Sequence, residues 1–127
     1  MNKIDALTRQ IVRFRDARDW EQFHTPKNLA TALSIETGEL QELMLWKTDK
    51  EVTRFVKTRN GRRECAAEIA DVFAFALLFC HEIGIDPVQA VRSKLKKNAL
   101  RYPVNLAKGN ATKYTRLRKK TPSSRKE

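Results

Sequence analysis

The sequence predicts an all-α protein, a four-helix bundle with a disordered basic C-terminal tail. Three observations carry that expectation. Apolar residues recur at helical spacing through most of the chain, with no strand-like alternation. Thr25-Pro26 and Asp86-Pro87 each pair an N-cap residue with a first-turn proline, and Gly84 is a helix stop. Four such helices with one longer connection suit a bundle.

The first helix is expected from about Asn2 to Gln22, with Ile4, Leu7, Ile11, Phe14 and Arg18 on one stripe. Phe23-His24-Thr25-Pro26 breaks it, and the second helix runs to about Trp46 with Leu29, Leu33, Leu40, Leu43 and Met44 available to a core. Lys47 to Gly61 is polar and mixed and reads mainly as a connection, with room for a short helical turn. The third helix spans about Arg62 to Ile83. The fourth opens at Asp86-Pro87, reaches about Leu100, and ends at Tyr102-Pro103. One domain is expected over 1–115, with the tail over 116–127.

At 127 residues the chain has room for one real core. Its longest apolar run, Val72 to Cys80, is about half of what a membrane span needs. With no basic-then-apolar leader and two cysteines lacking metal-ligand spacing, Cys65 and Cys80 read as reduced thiols of a cytoplasmic protein. The net charge is +11, yet half of the 26 basic residues lie from Arg92 onward, against the single acid Glu127. The excess therefore belongs to the C-terminal part. It reads either as a solvated tail or as a non-specific contact for a polyanion, so nucleic acid is expected to engage only the tail.

The chemistry is concentrated in four acids. Glu36 and Glu39 on the second helix, and Glu68 and Asp71 on the third, are each three residues apart and so share a helix face. Like charges so placed repel. Asp71 stands in the run Ile69-Ala-Asp-Val-Phe-Ala-Phe-Ala-Leu-Leu78, which predicts burial, and a buried unpaired carboxylate costs several kcal/mol. A cation is expected there, either a basic side chain or a metal. An all-oxygen ligand set suits Mg²⁺, or Mn²⁺, whereas a di-iron bundle site would want Glu-x-x-His, which these acids lack. The plainer alternative is that the glutamates are solvated or paired with Lys and Arg. Gly38, in mid-helix, costs about 1 kcal/mol relative to alanine, which makes sense if something packs close to the backbone there.

Around these acids the sequence resembles the MazG-like all-α nucleotide pyrophosphohydrolases, specifically the dCTP pyrophosphatase branch. The likeness is carried by Glu36-Thr-Gly-Glu39 and Glu68-Ile-Ala-Asp71. It extends through Arg18-Asp-Trp-Glu-Gln-Phe-His24, Pro26-Lys-Asn-Leu29, Trp46-Lys-Thr48, Lys94 to Asn98, Arg101-Tyr-Pro103 and Lys113-Tyr-Thr115. The resemblance implies Mg²⁺-dependent hydrolysis of a nucleoside triphosphate, dCTP or a base-modified dCTP, to the monophosphate and pyrophosphate. It implies that the four acids hold the metal, with Glu39 favoured to act on the attacking water. Trp20, His24 and Trp46 then enclose the base, and Lys94 and Asn98 contact the phosphates or sugar. It also implies a homodimer or homotetramer with sites near subunit contacts. Two positions depart from the branch: Phe75 stands where an aromatic hydroxyl is expected, and Ile11 near the place of a first-helix histidine. Taken singly, the tryptophans also suit core or interface packing, His24 a structural role, and Asn98 an ordinary helix surface. The competing reading is a non-catalytic helical module that binds nucleic acid through its basic C-terminal region.

Overall fold

In the computed structural model, residues 2–117 are described, and every regular element among them is helical. The elements are α1 (Lys3–Asp16), a 3₁₀ turn (Glu21–Phe23), α2 (Pro26–Glu42), α3 (Asp49–Phe55), α4 (Arg59–Ile83), α5 (Pro87–Arg101), α6 (Val104–Ala107) and α7 (Tyr114–Leu117). The all-α expectation stands. The described residues divide into two compact units, one up to Pro87 and one from Val88 onward.

In the first unit α2 packs along α4, with smaller contacts from α1 and α3 onto the same helix. Local chemistry sets the ends. Thr25 accepts a hydrogen bond from the Asn28 backbone and Pro26 opens α2, as its sequence predicts. Gly84, at φ 71°, closes α4 in the left-handed region. The first helix is shorter than expected. It stops at Asp16, and Asp19 at φ 55° turns the chain before Trp20. The second stops at Glu42 rather than Trp46. The supposed connection holds α3, started by a capping box in which Thr48 and Glu51 satisfy each other's backbone donors. Gly61, buried one turn into α4, faces the Phe55 carbonyl, where a side chain would overlap it.

The apolar stripes are only partly covered. Leu29, Leu77 and Leu78 are buried in this unit, whereas Leu7 and Phe14 of the expected first stripe are exposed. Cys65 and Cys80 are free and half-buried. In the second unit, Tyr102 and Tyr114 meet edge to face with Arg101 stacked on Tyr114, and Leu117 is buried. The expected tail boundary at 115/116 therefore falls inside α7; the rest of that segment, 118–127, lies outside the described residues. No helix among the described residues is long and apolar enough to cross a membrane.

Candidate active site

Because α2 and α4 pack along one another, their acidic faces meet. Carboxylate oxygens of Glu36, Glu39 and Glu68 lie within 4.8 Å of one another. Glu39 bridges the other two. Its hydrogen bond to Glu36 is the foremost cause holding the Glu36 carboxyl up at about 7, followed by burial and the charges of Glu39, Asp71 and Glu68. Glu68 is also raised, by burial first and then by Glu39. Oε2 of Glu36 and Oε2 of Glu68 are buried without a hydrogen-bond partner. No basic side chain of the described residues pairs with the three.

Those orphaned oxygens test the idea of a metal. Converging carboxylates that must share protons to coexist, with lone pairs unmet, fit a hard divalent cation with oxygen ligands. Asp71 differs from its expectation. It is exposed, because α4 turns its apolar run outward as well as inward, leaving Ile69 and Phe73 exposed too. Its charge still reaches Glu36 and Glu68.

A second cluster lies on the same face of α4. Phe75 follows Glu68 by seven residues, two helical turns or roughly 10 Å along the axis. The His24 ring packs edge-on to Phe75 at 6.2 Å, Trp20 lies 6.5 Å from His24, and Phe14 meets Trp20 at 5.8 Å. Arg18 stacks on Phe14 at 3.6 Å. Burial foremost, and then the Arg15 charge, hold His24 below the usual imidazole value, so it is neutral at pH 7. Trp46 is not part of this corner. It lies past the far end of α2, whose 17 residues span about 25 Å, and is 92 % exposed at φ 64°. There it lines an open cavity of about 530 Å³ with Gly38, Gln41, Glu42, Met44 and Leu45, on the face of α2 turned away from Glu36. In the second unit, α5 carries Lys94, exposed, and Asn98, half-buried.

The model of the MazG-like family matches residues 31–117, most of the chain and all four acids. The chain belongs to the MazG-like family. Among the curated relatives of this MazG-like chain, dCTP pyrophosphatase 1 of Mus musculus is 40 % identical over 120 residues, 94 % of this chain and 71 % of the mouse protein. The Homo sapiens dCTP pyrophosphatase 1 is 39 % identical over 114 residues, 90 % and 67 % of the two chains. A solved pyrophosphatase from Archaeoglobus fulgidus superposes with a TM-score of 0.75 at 38 % identity, covering 81 % of this chain and 94 % of that one.

One residue of this MazG-like chain escaped the sequence reading. Arg15, rather than Arg18, is the basic residue on the inner stripe of α1, 4 % exposed among three carboxylates. The signal was present: Arg15 follows Ile4 and Ile11 at helical spacing, and Asp16 and Glu21 come soon after.

Proposed function

We propose that this nucleoside triphosphate pyrophosphatase takes dCTP or a base-modified dCTP, with Mg²⁺ (or Mn²⁺) held by Glu36, Glu39, Glu68 and Asp71. The observation that carries this reading is the orphaned carboxylate cluster and the aromatic corner two turns away on one face of α4. One group binds the charged end of a nucleotide and the other the base. The names of the relatives supply the choice of cytosine. They also favour an enzyme over a non-catalytic nucleic-acid-binding module.

Phosphoanhydride hydrolysis demands charge neutralisation and alignment more than covalent help. When bound, the metal offsets the charge of the phosphates. Glu36, Glu39, Glu68 and Asp71 would hold it, Asp71 from the next turn of α4. Glu39, between them, orients the attacking water and takes its proton on a carboxylate oxygen. Trp20 and neutral His24 stack against the base, and Phe75, where the resemblance leads to an aromatic hydroxyl, offers that end an apolar ring and no polar contact. Contacts from Lys94 and Asn98 to phosphate or sugar rest on family likeness alone. The working form is a homodimer or homotetramer, in keeping with the exposed Ile69, Phe73 and Trp46.

The test is a pyrophosphate-release assay on purified protein with Mg²⁺ and a panel of nucleoside triphosphates, beside Glu39→Ala. Preference for dCTP or a modified dCTP, lost in that variant, is the expected result. Release no faster than Glu39→Ala for every nucleotide would sink the assignment.

A further inference from the structure

We infer that Arg15 is a positioning residue, fixing the segment that carries Trp20 and His24 against α4. The inference rests on the proposal above that these two rings form the base end of the site.

The segment between α1 and α2 has little regular structure of its own, a single 3₁₀ turn preceded by a left-handed Asp19. Arg15 ties it down in two ways. Its backbone carbonyl accepts hydrogen bonds from the Arg18 and Trp20 amides, at 3.1 and 3.2 Å. Its guanidinium reaches three carboxylates in three places. Nε donates to Asp16 Oδ1 at 2.9 Å, Nη1 donates to Glu82 Oε2 of α4 at 3.3 Å, and Nη2 lies 3.9 Å from Glu21 Oε2 in the 3₁₀ turn. Glu21 sits directly after Trp20 and three residues before His24. Glu82 sits two turns beyond Phe75, the residue His24 packs on.

A buried guanidinium is a poor choice for stability alone, since apolar side chains of similar volume often do as well or better. What it supplies is direction: a rigid planar fork with two acceptors at fixed bearings and a third carboxylate in ion-pair range. That orients a segment whose own backbone does not. Burial first, and then the same charge on Arg15 of α1, disfavour the imidazolium of His24, while Glu82 of α4 favours it. Displacing a contact by about 1 Å is enough to cost up to 10²-fold in an enzyme reaction, so a slack segment is felt in substrate binding.

Steady-state kinetics on the full chain with dCTP test this, using Arg15→Met, Arg15→Lys, Glu82→Gln and Trp20→Ala. Arg15→Met is expected to raise KM about tenfold, within the range such misplacement produces, with kcat changed far less. Glu82→Gln removes one tie without burying an unpaired guanidinium, and moves KM the same way by less. Arg15→Lys recovers part of the loss, and in Arg15→Met the His24 titration followed by NMR moves upward. Unchanged KM in folded Arg15→Met or, should that variant fail to fold, in Glu82→Gln overturns the inference and leaves Arg15 a brace for stability. If Trp20→Ala itself leaves KM alone, the base-end reading fails and the inference falls with it. KM raised by Trp20→Ala but not by Arg15→Met or Glu82→Gln defeats the inference alone.

Discussion

At Glu36 the charge conflict of the site becomes measurable. Its carboxyl titrates near 4.5 when free and is raised to about 7 in the fold, through Glu39 first and burial second. A raised carboxyl binds its proton more tightly in the folded state, so its stabilisation is complete below pH 4.5 and is lost as pH climbs through 7. Metal-free protein is therefore expected to melt at a lower temperature at pH 8 than at pH 5. Metal binding needs the ionised ligands, so Mg²⁺ should raise Tm more at pH 8 than at pH 5, by several degrees. Glu36→Gln should flatten the metal-free dependence and remove the response to Mg²⁺. Thermal melts in chelator and in Mg²⁺ check this; a metal-free Tm that rises with pH equally in both proteins refutes it. The pairing of Glu36 with Glu39 and of Glu68 with Asp71 was legible from spacing, because a period of three has one meaning on a helix. The exposure of Asp71 was not. An apolar helix run is buried only if neighbours cover all of it, and sequence does not count neighbours. The place of Arg15 on the inner stripe was open to the same spacing argument, but its bond to Glu82 was not, since that acid lies on a distant helix.

Among the helices, the ends marked by a cap, a proline or a glycine were the most legible features, and the uncapped ends and short pieces the least. Thr25-Pro26 and Gly84 act through their own backbone conformation, so they mean the same in sequence and in structure. α3 has too few apolar positions to show a period, and its capping box at Thr48 and Glu51 was its only advertisement. Two helical glycines separate by the same local reasoning. A methyl group at Gly61 would overlap the Phe55 carbonyl and crowd Thr58 Oγ1 at 2.9 Å, so Gly61→Ala should destabilise by about 1–3 kcal/mol. At Gly38 nothing lies within 4 Å of the added atom. The close packing expected from the sequence is absent within the chain, and Gly38→Ala should stabilise by up to about 1 kcal/mol. Urea unfolding of both variants decides; a destabilised Gly38→Ala would show that something outside this chain packs on that face of α2.

The whole molecule has a shortage of cover rather than of apolar residues. Among the described residues the buried apolar side chains are Leu29, Leu77, Leu78 and Leu117, while Ile69, Phe73, Val91, Leu95 and Trp46 are each more than 40 % exposed. On α4, Ile69 and Phe73 are one turn apart, and Ile69 lines an open groove of about 420 Å³ with Leu40, Met44, Val56, Arg62, Cys65 and Ala66. Apolar surface in continuous patches favours association at about 25 cal/mol per Å² removed from water. A second copy is the partner the family likeness implies, and it would give the shallow core of the first unit its missing layer. Such an oligomer obeys mass action: its stability grows with protein concentration, by about 1.4 kcal/mol per dimer for each tenfold step. Sedimentation equilibrium should therefore return two or four times the 14.7 kDa chain, with a Tm that climbs on concentration. Phe73→Glu places a charge on the exposed ridge of α4 without touching Glu36, Glu39 or Glu68. It should lower the mass and abolish the concentration dependence. A monomeric wild-type mass, with a Tm indifferent to concentration, would mean that these faces stay in water.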